Sequence, residues 1–239
     1  MTSVMLDKFF APWVDFLAPA RCHGCAVACD GAPLCRSCRA ALPWNANACP
    51  ACALPLPTDD AGHSDACGAC RGQAPPQDSA WAAFTYRAPV SQQIVALKFR
   101  GQLAPAYVLG AVMAERLARR PQPLPELLIP VPLHDARLRR RGYNQALELA
   151  RQIGRRLGIP LQPGAARRVR ATGEQTRLDA AARRRNVRGA FEIGAVVRNR
   201  HIALLDDVIT TGATVAEAAH AARRAGAARI EVWAAARAT

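Results

Sequence analysis

The sequence is short of lysine, of acidic residues and of long apolar runs. Only Lys8 and Lys98 are lysines among 32 basic residues, and 18 acidic residues leave a formal net charge of +14. The choice of arginine over lysine says little about partners, because arginine and alanine richness together can reflect GC-rich coding. The sign of the charge is better evidence, since a strongly basic surface attracts polyanions. The charge balance therefore favours polyanionic partners.

No segment is typical of a secretory signal or of a membrane span. Lys8 is followed by the apolar run FFAPWVDFLAPA, which Pro12 and Asp15 interrupt and which is too short to cross a bilayer. We expect residues 1–19 to form an amphipathic helix packed on the body of a cytoplasmic protein. The sequence also shows no Ser-His-Asp, Cys-His or paired-carboxylate arrangement typical of hydrolases, and it indicates no catalytic residue.

The composition changes sharply near residue 72. The 239 residues can hold one α/β domain of about 150 residues and something smaller. All nine cysteines lie in residues 20–72, which have almost no aliphatic periodicity. Strand-like and helix-like segments alternate afterwards, which predicts a parallel sheet with helices on both faces. We predict a small metal-stabilised domain over residues 20–72, followed by an α/β domain over residues 79–239.

Eight of the nine cysteines form four Cys-x-x-Cys pairs. Two such turns supply the four thiolates that zinc prefers in a tetrahedral site, so we predict two structural Zn²⁺ ions. Sequential pairing gives one site from Cys22, Cys25, Cys35 and Cys38, and another from Cys49, Cys52, Cys67 and Cys70. A cross-braced pairing, which uses the same ligands, is the alternative. Cys29 is the spare residue, and we expect it to be a small buried filler.

The stretch ALLDDVITTGATV, residues 203–215, places two carboxylates at the end of an apolar run, before an alanine-rich helix. We predict that residues 206–212 form a loop at the carboxyl end of a parallel strand, the usual ligand crevice of open α/β sheets. Backbone N–H groups of residues 210–214, at a helix N-terminus, can converge on a phosphate. Asp206 and Asp207 would repel phosphate but suit neutral hydroxyls or a cation. A sugar phosphate with vicinal diols, accompanied by Mg²⁺, would suit both the two carboxylates and the phosphate-binding backbone.

This stretch resembles the phosphoribosyl pyrophosphate (PRPP) motif of type I phosphoribosyltransferases. The resemblance implies that Asp206 and Asp207 hold the ribose hydroxyls and that the following loop binds the 5-phosphate. The loop residues are Thr210, Thr211, Gly212, Ala213 and Thr214.

A narrower resemblance covers nearly the whole chain from about residue 20. The four cysteine pairs and the segments ALKFRG (96–101), IPVPLHDARLRRRGYNQALELA (129–150), RRNVRGAF (184–191) and DDVITTGAT are together similar to the ComF family of competence-associated proteins. The resemblance implies a double zinc ribbon followed by a type I phosphoribosyltransferase-like fold. It also implies work in natural transformation, where the protein would handle incoming single-stranded DNA together with other DNA-uptake proteins.

The ComF resemblance also assigns the segment after the first core strand. The backbone of Val131, Pro132 and Leu133 is expected to face the pyrophosphate. The arginine-rich residues 137–144 are expected to form a loop at the position of the mobile flap. From its place in the sequence alone, His134 is expected to cap a loop, and a functional role beside the pyrophosphate is the alternative.

Residues 137–200 contain 17 arginines against four acidic residues, more than one small ligand needs. We predict a nucleic-acid footprint, with arginine bias from coding as the alternative. Tyr143, Phe99 and Tyr86 could stack on bases, but core or supporting positions are expected for them. The residues predicted for pyrophosphate or DNA are Arg137, Arg139, Arg140, Arg141, Lys98 and Arg100, and those predicted for DNA are Arg183, Arg184, Arg185 and Arg188.

Two functions agree with these patterns. The first is a PRPP-binding protein that acts in the uptake of single-stranded DNA. The alternative is an active phosphoribosyltransferase of nucleotide metabolism, whose acceptor the sequence does not name. A transferase needs a region that recognises the acceptor, and both LKFRG and the zinc region are candidates for it.

Overall fold

The computed structural model describes residues 20–57, 66–170 and 187–239. The chain divides into two compact units between Leu42 and Pro43. The helix predicted over residues 1–19 lies outside the described residues, as do Arg183, Arg184 and Arg185. Within the described ranges, no helix combines the length and the hydropathy needed to cross a bilayer.

The first unit is a small cysteine-rich fold. Arg21 and Ala28 pair across a tight turn, and helix α1, Arg36–Ala40, follows. Cys35 caps α1, because its sulfur accepts a hydrogen bond from the Cys38 N–H. Among the described residues of this unit, few apolar side chains are buried, so they form little core of their own.

The second unit is built on a parallel sheet of four strands in the order β1-β6-β5-β2. Ile129, Leu204, Val232 and Ala80 lie side by side across it. A short antiparallel pair, β3 and β4, lies apart from the main sheet. The strands are β1 Ser79–Thr85, β2 Leu127–Pro130, β3 Ala166–Arg168, β4 Phe191–Ile193, β5 His201–Ile209 and β6 Arg229–Arg237.

Helices cover both faces of the main sheet. Leu127, Ile129 and Leu204 pack with Val215, on the helix that follows β5, in one apolar cluster. Leu128 points the other way, beside Gly154 of the helix Gln145–Leu157. This alternation buries β2 on both faces. The structure confirms the predicted fold class, which is a parallel sheet with helices on both faces after a cysteine-rich segment. The helices of the unit are α2 Gly68–Gly72, α3 Val90–Phe99, α4 Ala104–Leu117, α5 Asp135–Arg141, α6 Gln145–Leu157 and α7 Ala213–Arg224.

The segment that carries the third and fourth cysteine pairs belongs to this second unit. It covers the outer edge of β1, where the Asn45 N–H donates to the Ala83 carbonyl and the Ala80 N–H donates to the Pro50 carbonyl. Ala53, fully buried, joins the apolar cluster under the sheet. These bonds satisfy a strand edge that would otherwise be open to other chains.

Two local predictions need correction. Strand β5 continues through both acids to Ile209, because Ile209 pairs with Arg237 of β6; the predicted seven-residue loop shortens to residues 210–212. The predicted arginine-rich flap loop begins as helix α5 instead. His134 caps that helix by accepting from the Ala136 N–H at 3.3 Å, as expected of a capping residue, and Gly142 ends it in the left-handed conformation.

Candidate functional site

The cysteines form two separate clusters. In each, the four sulfurs lie within 4.8 Å of one another, and the members are Cys22, Cys25, Cys35 and Cys38 in one cluster and Cys49, Cys52, Cys67 and Cys70 in the other. The sequential pairing is therefore the observed one. The Cys25 and Cys35 sulfurs are 3.7 Å apart, as are those of Cys52 and Cys67. A tetrahedral zinc with bonds of about 2.3 Å separates its sulfurs by about 3.8 Å, so both clusters fit Zn²⁺.

Backbone N–H groups prepare one thiol of each cluster for ionisation. The Cys22 sulfur accepts from the N–H groups of Cys35 and Gly24, both at 3.3 Å. The bond from Cys35 is the main reason that the pKa of Cys22 falls to about 6. Burial opposes ionisation of Cys49, yet backbone bonds, the one from Cys67 first, still lower its pKa to about 7. Cys29 lies outside both clusters and is half-buried rather than buried.

A cavity of about 490 Å³ opens at the carboxyl ends of β2 and β5. This volume is typical of small-molecule sites, and the position is the ligand crevice expected of a parallel sheet. Of the residues predicted from the sequence, the lining contains Lys98, Val131, Pro132, Leu133, Arg137, Arg141, Asp206, Asp207, Thr210 and Thr214. The other predicted loop residues, Thr211, Gly212 and Ala213, form the turn between Thr210 and Thr214.

The two carboxylates lie in different environments. Asp207 is buried and forms an ion pair with Lys98, whose Nζ is 3.0 Å from Oδ1. Asp206 is half-buried, and its Oδ1 accepts from the Asp207 N–H at 2.8 Å. Desolvation of its carboxyl, followed by repulsion from Asp207, raises the pKa of Asp206 to about 7. The ligand-free site therefore holds one paired carboxylate and one that resists ionisation.

Replacing Asp206 with Asn is expected to stabilise the ligand-free protein at neutral pH. Between about pH 4 and about 7, Asp206 is protonated in the folded protein and ionised in the unfolded chain. The free energy of unfolding of the wild type therefore falls as pH rises through this window. The Asn variant keeps the acceptor oxygen but does not ionise, so it avoids this loss. The excess melting temperature of Asp206→Asn over wild type should grow between pH 5.5 and 7.5 and level off above pH 8.

Thermal melts of zinc-loaded protein across this pH range measure the effect. Glu148→Gln, which changes an acid outside the cavity, is the matched control and should show no such growth. An excess that is independent of pH would mean that Asp206 titrates normally, contrary to this assignment.

The turn after β5 is fixed by its own backbone conformation and by Arg237. Gly212, at φ +79°, occupies the left-handed conformation at the start of α7, which side chains rarely adopt. The Thr211 hydroxyl oxygen accepts from the Ala213 N–H at 3.4 Å. The guanidinium of Arg237, on β6, donates to the carbonyls of Ile209 and Thr210. These contacts fix the turn before any ligand arrives.

Arg237 also connects this turn to the second cysteine cluster. Its Nε donates to the carbonyl of Cys52 at 3.1 Å, while the same guanidinium contacts the Thr210 carbonyl. One buried side chain therefore joins a metal ligand to the start of the loop. Sequence reasoning missed Arg237, and the only signal was an arginine directly after the apolar run VWAAA, residues 232–236.

The segment after β2, which is expected to face the pyrophosphate, offers few backbone N–H groups to an anion. The Val131 N–H already donates to the Leu205 carbonyl at 2.8 Å, and Pro132 has no N–H. Leu133 is therefore the residue of the three whose N–H can contact an anion. Asn144, at the start of α6, donates to the Val131 carbonyl and accepts from the Ala146 N–H, both at 3.0 Å. This side chain fixes the exit of β2 against α6.

Helix α5 divides its arginines between the cavity and solvent. Arg137 and Arg141, one turn apart, are half-buried and line the cavity. Arg139 and Arg140 are exposed and lie outside the lining. The four arginines were predicted as one cluster, because the two sides can be told apart only when the segment is known to be a helix. Two further arginines of the predicted set, Arg100 and Arg188, are also exposed.

Several lining residues were not predicted. Arg168 reaches the cavity from β3, far from any motif, and burial lowers its pKa although Asp206 opposes that shift. Nothing in the sequence signals this residue. The other lining residues are Gln145, Ala146 and Val208, together with Phe99 of the candidate LKFRG segment and Asn144 at the end of the predicted flap. Of these, Asn144 was recognisable, because asparagine before a helical stretch is a typical N-cap.

Comparison with known proteins gives close relatives across most of the chain. Residues 13–71 match the family model described as a double zinc ribbon domain. The DNA utilization protein YhgH of Escherichia coli strain K12 is 37% identical over 205 residues, 84% of this chain and 88% of that protein. Competence protein F of Haemophilus influenzae is 36% identical over 225 residues, 91% of this chain and 90% of that protein.

Solved structures give more distant similarity. A glutamine PRPP amidotransferase from B. subtilis aligns with a TM-score of 0.39 and 21% identity, over 54% of this chain and 26% of that one. A second structure, of the allosteric regulatory enzyme of purine biosynthesis, aligns with a TM-score of 0.38 and 20% identity, over 54% and 25%. The chain spans about a quarter of the length of these two enzymes.

Proposed function

We propose that the chain, which belongs to the ComF family, binds PRPP with Mg²⁺ and acts in the uptake of single-stranded DNA. One observation carries the PRPP proposal: a single cavity combines two carboxylates, Asp206 and Asp207, with Thr210 of the following loop and Thr214 of the first turn of α7. Carboxylates suit ribose hydroxyls, and the helix N-terminus suits a phosphate. The names of the relatives, a DNA utilization protein and a competence protein, support the DNA role.

Each part of PRPP has a suitable partner in the cavity. The 5-phosphate would take the turn of residues 210–214, and the ribose hydroxyls would take Asp206 and Asp207. The pyrophosphate would lie between the Leu133 N–H and the guanidinium groups of Arg137 and Arg141. Mg²⁺, which prefers oxygen ligands, would neutralise part of the pyrophosphate charge.

Lys98 compensates the negative charge of the site before the ligand binds. Its ammonium compensates the buried charge of Asp207 at 3.0 Å. A lone carboxylate in that position would be costly to keep ionised. Hydroxyl groups of a bound sugar can take over part of this stabilisation, which would release Lys98 towards the pyrophosphate.

Single-stranded DNA is expected to bind mainly through exposed arginines. Neutralising strand phosphates releases counterions, so affinity should fall by roughly tenfold or more between 50 and 200 mM salt, without sequence preference. The double variant Arg139→Gln/Arg140→Gln should weaken DNA binding and reduce the salt slope, by about 0.7 per lost contact. It should leave PRPP binding unchanged, because both side chains lie outside the cavity.

Fluorescence anisotropy with labelled oligonucleotides measures this prediction. The matched variant is Arg137→Gln/Arg141→Gln, which removes the same charge from the cavity side of α5 and should weaken PRPP binding. Replacing Arg183, Arg184 and Arg185 with Ser should weaken DNA binding alone. Unchanged salt slopes in the Arg139/Arg140 variant and in the Arg183/Arg184/Arg185 variant would place the strand on another surface.

The alternative, an active transferase, differs in one measurable product. A turnover reaction releases pyrophosphate from PRPP when the right acceptor is present, whereas a binding protein does not. Assaying pyrophosphate release across amines and nucleobases, beside the salt-dependent strand binding, separates the two functions.

A further inference from the structure

A second cavity, of about 210 Å³, lies at the outer edge of β1. The strand order β1-β6-β5-β2 places this edge on the opposite side of the sheet from β2, whose end opens into the first cavity. Among the described residues, the linings of the two cavities share none. The proposed PRPP site therefore does not account for this second cavity, which we call the edge cavity.

The shape of the edge cavity follows from the backbone around it. The Asn45 N–H donates to the Ala83 carbonyl at 3.0 Å, and the Ala80 N–H donates to the Pro50 carbonyl at 2.8 Å. Between these two bonds the outer segment contains residues 46–49, whereas β1 contains only residues 81 and 82. The longer segment must bow away from the strand, and the gap between them is the cavity.

Contacts outside the edge cavity hold the bowed segment in place. Asn45 is buried, and its Nδ2 donates to the Ala53 carbonyl at 2.9 Å. The Asn47 Nδ2 donates to the Leu56 carbonyl at 3.2 Å. Cys49, also buried, belongs to the second cysteine cluster. The cavity is therefore formed before any ligand arrives, and its shape depends on the cluster that fits Zn²⁺.

Two tryptophans form the aromatic part of the edge cavity. Trp44 and Trp81 both line it and are both half-buried, so each indole is partly open to water. The Trp44 ring packs on Phe84, with the ring centroids 4.9 Å apart. This contact makes Trp44 a fixed wall. Aromatic side chains that are partly open to water in a preformed cavity offer an apolar face to a planar ligand.

The charge at the rim of the edge cavity is positive. Arg116 is exposed and is the one charged residue among the described residues of the lining. Its guanidinium carbon lies 5.7 Å from the centroid of the Trp44 ring. Arg119, one turn further along the chain, is also exposed, and its N–H donates to the Arg116 carbonyl. An aromatic cavity beside two cations suits a planar apolar group that is joined to phosphates.

We propose that the edge cavity binds one nucleobase of single-stranded DNA. The base would stack on the indole of Trp81, and the guanidinium groups of Arg116 and Arg119 would contact the adjoining phosphates. The volume is below the about 300 Å³ at which pockets for complete small molecules begin, which agrees with one ring system whose sugar and phosphate stay outside. This inference rests on the proposed binding of single-stranded DNA, and it adds a site for one of the bases.

Labelled strands with and without bases test the stacking directly. An oligothymidylate and an abasic strand of the same length share their phosphates and differ in the bases. Zinc-loaded full-length protein should bind the oligothymidylate at least about fivefold more tightly in fluorescence anisotropy, the lower end of what one stacked base contributes. Trp81→Ala should remove this preference and leave the affinity for the abasic strand unchanged.

Three further variants separate stacking from charge and from loss of structure. Trp81→Phe keeps a ring and should retain the preference for the oligothymidylate. Leu103→Ala, at an exposed apolar residue outside the lining, should behave as wild type. Arg116→Gln should weaken the binding of both strands and lower the salt slope by about 0.7.

The same titrations distinguish failure of this inference from failure of the proposed function. If the wild type binds both strands equally, or if Trp81→Ala keeps the preference, the inference is overturned although the DNA role stands. The edge cavity would then suit a side chain of a protein partner instead. If the wild type binds neither strand, the proposed DNA role fails and the inference fails with it.

Discussion

Cys52→Ser is expected to cost the protein one zinc ion, about 10 °C or more of melting temperature, and its response to PRPP. Structural zinc contributes several kcal/mol to folding, and each kcal/mol corresponds to about 2–4 °C in a chain of this size. The carbonyl of Cys52 accepts from Arg237, which also holds the carbonyls of Ile209 and Thr210. Disordering the second cluster therefore releases the turn that would bind phosphate.

Cys25→Ser is the matched variant in the first cluster. It should also lose one zinc ion, but residues 20–42 form a separate compact unit. The rise in melting temperature with PRPP should therefore survive in Cys25→Ser and be lost in Cys52→Ser. Metal analysis and melts with and without PRPP measure both effects. Reductively purified wild type without zinc would contradict the metal assignment, and equal responses of the two variants would contradict the role of Arg237.

Asp206→Ala/Asp207→Ala and, separately, Gly212→Val are each expected to abolish stabilisation by PRPP with Mg²⁺. A ligand at about 1,000 times its Kd stabilises the folded state by about 4.1 kcal/mol, which corresponds to roughly 8–16 °C here. The double variant removes the partners of the ribose hydroxyls. Valine at position 212 cannot readily adopt φ +79°, so the turn that would hold the phosphate is lost.

Melting curves with increasing PRPP give the result, and circular dichroism confirms that each variant is folded. Glu148→Ala/Glu192→Ala removes two carboxylates outside the cavity and should keep the full rise. If the folded cavity variants still respond as wild type does, PRPP binds elsewhere on the protein.

The local parts of this site were predictable from the sequence because they depend on neighbouring residues. The cysteine spacing predicts that the two thiols of each pair share a metal, but it leaves open which pairs combine. The apolar run before Asp206 and the glycine turn after Asp207 place two carboxylates beside a helix N-terminus. Each of these features lies within a short stretch, so elementary geometry is sufficient to predict it.

The remaining features depend on contacts between distant segments. Lys98 meets Asp207 only because α3 ends beside β5, and Arg237 meets Cys52 only because β6 ends beside the second cluster. Arg168 enters the cavity from β3 without any local pattern. The division of the α5 arginines became visible only once that segment was known to be helical. Long-range packing, which residue types alone do not specify, decides these features.

A crystal structure of the zinc-loaded protein with PRPP and Mg²⁺ would show whether the cavity binds PRPP. We expect the 5-phosphate on the backbone N–H groups of residues 210–214 and the ribose hydroxyls within hydrogen-bond distance of Asp206 and Asp207. The pyrophosphate should lie beside Leu133, Arg137 and Arg141. Electron density for PRPP outside this cavity, with the cavity empty in the same crystal, would contradict the account.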